Sequence, residues 1–519
     1  MNSTVHQTLL CSDVSAKVFD FLAPGPKPSQ TDHLSDHQEW QLCRRTLLAL
    51  AQSHSAFTEP ALDILWRVVE DLTNLLGILP DQSVNGYMLT VKRPRDEQWR
   101  RFQEYASRVR WLRVLWDVRS RNRRIPHHTT WDMLKQQCSG GPLLPRLTRL
   151  TIKSTHVAAS SILLSPSVTR LEIVDVNPVK DLMNVSFCVD AIQRHTSHIK
   201  SLTLHPLMLT ELGVRSHPTL DLSVLAHLQM LRINSPGQPY EITMPFLTAI
   251  MSFPILRELE FNLFFSAGVR SSLSAKKLPV GFFDLRVLHL MGTPSDITLF
   301  FEATDPPGLD SVSLSLREPE RNLDHTNQNA PSTIEQLHEL CSHIPTPIHR
   351  LDLCISSFSF AYTDWHRTFD FMTSHMPLSP LRDLHGLREA SIIVRDTLLA
   401  LSAHTVLLAL STAWPELTHF QFFHWGERRS AGSPAHLPTF ATMLAFVQAH
   451  PRLSHIELTA LNANGIPDIG ASLGPQYPLR HVWIERLVPN TPVVELAIAL
   501  DSVFPNLDLG SPAAVWVMA

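Results

Sequence analysis

Histidine is the residue that first suggests chemistry, since the 519-residue chain carries 27 of them. Imidazoles hold metals when two share a helix face and further Cys, His or carboxylate ligands complete the set. His33 and His37 have the four-residue spacing, but no H-E-x-x-H motif and no Cys/His set accompanies them, so they read as a solvated helix face. The run Arg119, Arg121, Arg123 and Arg124, followed by His127 and His128, carries charge that could touch phosphates. It lacks interleaved aromatics and does not recur, which suits an exposed loop better than a nucleic-acid surface. Phosphate-cradling glycine patterns are missing and no nucleophile elbow is expected, so the chain is read as a non-enzyme with no cofactor and no metal. Three other histidines, His419, His455 and His481, each stand directly before an apolar residue of one recurring motif. Whether they meet depends on the elements that carry the motif.

That motif has the form L-x-x-L-x-L. It occurs at Leu147/Leu150/Ile152, Val168/Leu171/Ile173, Ile199/Leu202/Leu204, Leu228/Leu231/Ile233, Leu256/Leu259/Phe261 and Leu285/Leu288/Leu290. It continues at Leu309/Val312/Leu314, Ile348/Leu351/Leu353, Leu387/Ala390/Ile392, Leu417/Phe420/Phe422, Leu453/Ile456/Leu458 and Leu479/Val482/Ile484, with an earlier copy at Val109/Leu112/Val114. The last two positions, two residues apart, share one face of a strand, and the first lies in the incoming turn. A single such strand cannot bury its apolar face, whereas stacking parallel neighbours builds a continuous core. Parallel strands need crossovers. Helices are predicted from Thr439 to Ala449, from Ser332 to Cys341 with Ser332 and Glu335 at capping-box spacing, and from Thr243 to Ser252. Pro145, Pro254, Pro415, Pro451 and Pro478 precede strands, where proline ends a helix and favours extended backbone.

First anchors are 21 to 39 residues apart, an irregular array rather than a tandem copy. The pattern resembles the leucine-rich-repeat superfamily in its irregular form. That resemblance implies an α/β fold, a right-handed solenoid with parallel strands on the concave face and helices outside. The asparagine that usually follows the strand is mostly missing; Asn234 and Asn262 stand alone in that place.

Residues 1–79 do not fit the repeat. Val14, Val18, Phe19 and Leu22 lie at helical spacing, Pro24 to Pro28 break the chain, and a leucine-rich helix follows through Leu47, Leu48, Leu50 and Ala51. Pro60 stands where a further helix would begin, with Ala61, Leu62, Leu65 and Trp66 on its apolar face. The strings Leu47-Leu48-Ala49-Leu50-Ala51, Ser55-Ala56-Phe57 and Glu59 to Arg67, with Leu75 to Pro80 and Trp99 to Val109, resemble F-box/leucine-rich-repeat proteins. At the front Leu10-Cys11 stands where an F-box has Leu-Pro, and Pro24 to Glu39 exceeds the usual loop. The resemblance implies a small all-α F-box-like module that docks on a Skp-type adaptor of a cullin–RING ubiquitin ligase. Its docking residues would be Val18, Leu22, Leu47, Leu48, Leu50, Ala51, Phe57, Pro60, Leu62, Leu65 and Trp66. So leucine-rich a module cannot hide all its apolar surface in a core of its own, which suits an interface. The same helices could instead cap the first repeat. Residues 80–105 would be a linker or helical cap, and 106–519 the solenoid.

Composition sets the remaining bounds. A net charge of −4 argues against a dedicated nucleic-acid binder, and no apolar run is long enough to span a bilayer. The N-terminus lacks a secretory pattern, and the six scattered cysteines suit free thiols in a reducing compartment, cytoplasmic or nuclear. In each strand the residues beside the anchors would form the recognition surface. Its least bland part is the C-terminal end, where His419, His455 and His481 share a register beside Phe423, Glu457, Trp483 and Glu485. These residues are candidates for binding a target protein, with a pH dependence as the histidines charge. The expected function is substrate recognition in a Skp–cullin–F-box ligase; the alternative is an interaction scaffold outside any ligase.

Overall fold

The computed structural model describes residues 12–23, 34–79, 82–85, 88–114, 125–153, 162–176, 198–206, 225, 227–233, 240–275, 278, 281–317, 333–356, 378–395, 403–424, 437–463, 477–487 and 493–508. His33, Arg119 to Arg124, Asn234 and Ser332, all singled out above, lie outside them, as do the side chains of Val14 and His37. The chain divides into two compact units, Met1–Pro236 and Gly237–Ala519. Lys and Arg outnumber Asp and Glu in the first, and the reverse holds in the second.

Unit 1 begins with three helices, α1 (Ser12–Phe21), α2 (Leu34–Ser53) and α3 (Ser55–Leu65). Phe19, Leu47, Ala61 and Ile64 form their core, with Leu22, Leu50, Ala51, Phe57 and Leu65 packed around it. The chain then enters a parallel sheet at β1 (Val68–Val69) and turns through α4 (Leu72–Leu76), which Asp71 caps by accepting from the Thr73 backbone N–H. A hairpin of β2 (Gln82–Asn85) and β3 (Met88–Val91) follows, then α5 (Asp96–Ala106) and β4 (Trp111–Val114), which pairs with β1. So the sheet starts inside the segment read as purely helical, and the expected linker holds a hairpin before its helix. Two- and four-residue strands are too short to display an alternation in sequence. β5 (Ile125–Pro126) joins β3, and α6 (His128–Cys138) leads to β6 (Arg149–Lys153), which pairs in parallel with β4; β7 (Arg170–Val176), β8 (Ser201–Pro206) and β9 (Met230–Ile233) follow, each parallel to the one before.

Unit 2 repeats one unit of construction. After β10 (Tyr240–Glu241) come α7 (Met244–Met251), β11 (Glu258–Phe264), α8 (Ala267–Ala275), β12 (Val287–Gly292), α9 (Pro294–Thr304), β13 (Ser311–Leu316), α10 (Thr333–His343) and β14 (Arg350–Ile355). Then come β15 (Glu389–Val394), α11 (Ala403–Leu410), β16 (His419–His424), α12 (Phe440–Ala449), β17 (His455–Leu461), β18 (His481–Leu487) and α13 (Val493–Val503). From β11 to β18 every neighbouring pair is parallel. Thr243, Thr293 and Thr439 cap α7, α9 and α12 by accepting the N–H of a residue three further on, an arrangement worth about 1 kcal/mol each. Pro254, Pro306, Pro415 and Pro451 follow the ends of α7, α9, α11 and α12, and extended chain then feeds the next strand. Gly292 ends β12 because a Cβ there would stand 2.8 Å from the Leu263 carbonyl oxygen of β11.

All the motif's anchors are buried except Leu204, which is half-buried. Burying one such side chain stabilises by roughly 1.5–3 kcal/mol, so the repeat is itself the core. Each unit therefore has the architecture of a leucine-rich-repeat solenoid.

Candidate functional site

Parallel pairing without slippage brings equivalent residues of successive strands into rows. In unit 2 one row runs Ser311, Arg350, Glu389, His419, His455, His481, and the next runs Ser313, Asp352, Ser391, Gln421, Glu457, Trp483. Their side chains leave the sheet on the face opposite the anchors, because they alternate with buried neighbours.

The three imidazoles stack. Ring centroids of His419 and His455 are 4.2 Å apart at 16°, and those of His455 and His481 are 4.2 Å apart at 23°. The first two rings are held from below. Thr418 Oγ1 lies 2.9 Å from His419 Nδ1, and Ser454 Oγ lies 2.8 Å from His455 Nδ1. Each hydroxyl already donates its only hydrogen to a backbone carbonyl, Thr418 to Arg388 and Ser454 to Thr418. A hydroxyl that donates to its carbonyl accepts at its oxygen, an arrangement in which Nδ1 carries the ring proton and Nε2 keeps its lone pair. Partial burial pushes the His455 imidazolium down to about 4, helped by the His419 and His481 rings and by Arg480. The middle rung stays uncharged at neutral pH.

Beside the ladder, Ser391 donates to Gln421 Oε1 at 2.6 Å, and Gln421 Nε2 donates to Glu457 Oε2 at 2.9 Å. Phe423 and Trp483 meet edge to face at 5.1 Å although β17 lies between their strands. They can do so because Thr459, the intervening residue, is small and buried, its hydroxyl accepting from His424 N–H at 2.6 Å. Arg350 closes the other side, with Nε 3.0 Å from Asp352 and Nη1 3.3 Å from Glu389. A depression of about 160 Å³ on the Arg350 side is lined by Arg350, Asp352, Glu389, His419, His455 and Glu457, and Phe423 and Trp483 lie outside it. The structure thus brings His419, Phe423, His455, Glu457, His481 and Trp483 together, and Glu485 lies two residues beyond Trp483 on β18. Sequence reasoning missed Thr418 and Ser454. Their signal was a hydroxyl residue directly before the strand histidine in consecutive repeats.

The N-terminal candidates scatter over different surfaces. Leu47 is fully buried at the centre of the helical core, which removes it from any docking face and makes it a residue that holds the module together. Leu22, Leu50, Ala51 and Phe57 support the same core. Leu48, Leu62, Leu65 and Trp66 line a groove of about 510 Å³ together with Trp40 and Arg44. Val18 and Leu48 stand about half exposed, Pro60 is half-buried, and the unpredicted Phe21 and Leu42 are exposed as well. Trp66 also packs on Tyr105 of α5 at 5.0 Å, and Arg108, just past α5, bridges Glu59 and Asp63 on α3.

Among the described residues no group of three or more His, Cys, Asp or Glu is placed to hold a metal ion, and no helix is long and apolar enough to cross a membrane. Cys43, Cys138, Cys341 and Cys354 are unpaired, and burial pushes the Cys341 thiol up to about 12. The string Gly470-Ala471-Ser472-Leu473-Gly474 does match the G-x-S-x-G spacing, against the expectation of no such elbow. It lies outside the described residues, and a five-residue string alone assigns no nucleophile.

No family model matches the chain, and no curated protein matches it. Solved structures similar to it include the leucine-rich-repeat protein LegL7 of Legionella pneumophila, at 13% identity over 60% of this chain and 90% of that one, TM-score 0.33. Others are an internalin (inlF) of Listeria monocytogenes, at 14% over 85% and 93%, TM-score 0.28, and the TLR13–ssRNA13 complex, at 14% over 78% and 54%, TM-score 0.32. Likeness of that degree carries no argument. The repeat fold rests on the strands, registers and buried anchors.

Proposed function

We propose that the chain is a protein-interaction module, and that it serves as the substrate-recognition subunit of a Skp–cullin–F-box type ubiquitin ligase. In this reading the N-terminal helices dock on the Skp-type adaptor and the sheet face of unit 2 presents a target protein, in the cytoplasm or nucleus. The chain catalyses no step itself. It works by effective concentration, holding a target beside the ligase so that transfer becomes intramolecular. The observation that carries the adaptor reading is apolar surface left over once the helical core is filled. Val18, Phe21, Leu42 and Leu48 remain outside that core, with Phe21 91% exposed.

A scaffold outside any ligase is the second reading. It draws on the ties between α3 and the start of the sheet, through Arg108 with Glu59 and Asp63 and through Trp66 with Tyr105. Helices so anchored could act purely as a cap.

Co-purification with a Skp-type adaptor separates the two. Wild type is expected to bind, and Leu48→Glu combined with Phe21→Ser to lose most of that binding while keeping its unfolding midpoint, since neither side chain is buried. Folded wild type that captures no adaptor would remove the ligase reading and leave the scaffold.

A further inference from the structure

We propose that the C-terminal end of the unit 2 sheet is a receptor for one arginine side chain of the target protein, with His419, His455 and Glu457 accepting its N–H groups beside Trp483. This rests on the reading that these strands present the target, and it names the chemistry recognised.

Three observations point to a guanidinium. First, the hydroxyls of Thr418 and Ser454 stand at Nδ1 of two stacked rings and reach backbone carbonyls as donors, an arrangement that leaves Nε2 of each neutral ring as a lone-pair acceptor. An array of acceptors calls for a ligand rich in donors, and an anion would find only lone pairs there. Second, Glu457 takes a single hydrogen bond, from the Gln421 amide, and no described cation pairs with it. It lies two residues from His455 on one strand and directly across from Trp483 on the next, so carboxylate, imidazole and indole stand on one face of the sheet at neighbouring register positions. A planar cation with five donors satisfies several acceptors at once and stacks on an aromatic ring, which an ammonium does less well. Third, the chain handles an arginine of its own in this way earlier in the same rows. Arg350 straddles Asp352 and Glu389. At β17 the carboxylate is present and the arginine is not.

Charge complements the geometry, because unit 2 carries more Asp and Glu than Lys and Arg. The charged and titratable groups around His455 are His419 and His481 on either side, Arg480 before β18, Glu457 two residues along, Glu389 beyond His419, Arg350 and Asp352 across the depression that His455 also lines, and the Arg452–Glu416 pair in the turns before β17 and β16. The middle ring, neutral at neutral pH, adds no charge of its own against an incoming cation. As pH falls toward 4 His455 takes up a proton at Nε2, which removes an acceptor and adds a like charge, so affinity falls with acidification.

A random dodecapeptide library panned on the immobilised full-length chain near neutral pH tests the assignment. Wild type should select peptides that share an arginine. Replacing that arginine by citrulline, its uncharged isostere, should weaken binding about tenfold by fluorescence anisotropy. Glu457→Gln, and separately His455→Phe, which keeps the stack and removes the lone pair, should each lower affinity for the arginine peptide and leave the citrulline peptide unchanged. Equal unfolding midpoints show that the variants fold. Selected peptides that depend on Trp483 but share no arginine would overturn the arginine assignment and leave the target surface standing. Peptides indifferent to Trp483→Ala would overturn both.

Discussion

Glu172 of unit 1 and Glu457 of unit 2 occupy the same place in the repeat, each between the two buried anchors of its strand, yet their surroundings differ. Glu172 accepts from Thr151 Oγ1 at 3.0 Å, lies 3.3 Å from His205 Nε2 and 3.6 Å from Arg149 Nη2, and Arg149 in turn lies 4.2 Å from the centroid of the Trp111 ring. The hydrogen bond to His205, then that from Thr151 and the nearby positive charge, outweigh burial and hold its carboxyl down to about 2. Glu457 has one amide for company. The backbone slot is common to both; the neighbours decide what the carboxylate is for. At β7 the donors come from the chain itself and the group belongs to the scaffold. At β17 the acceptors outnumber the donors, and the deficit is what a partner could fill.

For the contrast to hold, both carboxylates must stand on equally packed sheets. Leu171→Ala and Ile456→Ala test this, since both side chains are buried anchors beside their carboxylates. Each is expected to cost about 2–5 kcal/mol in urea unfolding, more than any change to the carboxylates themselves. A loss below about 1 kcal/mol at either position would mean that its sheet end can relax around the cavity, and the two slots would no longer be equivalent.

Those anchors were fully legible in sequence, because a two-residue period in apolar side chains is what a half-buried strand requires. The helices were legible too. The expected span Thr243 to Ser252 becomes α7 with those two residues as its caps, and Thr439 to Ala449 becomes α12 with its cap. The histidine row followed from the same register. What was not legible depends on contacts distant in sequence or on choices within unbroken apolar runs. In Leu47-Leu48-Ala49-Leu50 every residue is apolar or small, so pattern alone could not say that Leu47 turns inward and Leu48 outward. Val68–Val69 is too short a strand to announce itself. The hydroxyl contacts at Nδ1 of His419 and His455 needed the positions of two side chains and the carbonyls they reach. The contact of Phe423 with Trp483 needed a small residue on the strand between them.

Removing the charge from each carboxylate sharpens the contrast. Glu172→Gln should cost about 1–2 kcal/mol at neutral pH, because it removes the charge from three interactions in a half-buried setting. Glu457→Gln should stay within about 0.5 kcal/mol, as for a surface position without such partners. The folded-state carboxyl of Glu172 lies near 2, against an ordinary value of 4.5. Its contribution is therefore complete above about pH 4.5 and is lost as pH falls toward 2. The difference between wild type and Glu172→Gln, followed through unfolding midpoints, should shrink across that window. A difference independent of pH would assign the loss to shape rather than charge.

A pH effect smaller than that of Glu172 concerns His455, and its sign follows from the opposite cause. Glu172 is charged and partnered in the fold, whereas His455 is uncharged because burial and its neighbours penalise the imidazolium. In the unfolded chain the ring protonates near its usual 6.5, and in the fold only near 4. Between those values the unfolded state binds more protons, so stability must rise with pH there and level off above about 6.5. The full shift would correspond to roughly 3 kcal/mol, but a ring this open to solvent is screened, and about 1 kcal/mol is the expected amplitude. His455→Gln should flatten that part of the pH profile without touching the lower window that belongs to Glu172. If the slope between pH 4 and 6.5 survived the substitution, some other group would own it. The ladder would then no longer supply the neutral acceptors that set the β17 site apart from the saturated carboxylate at β7.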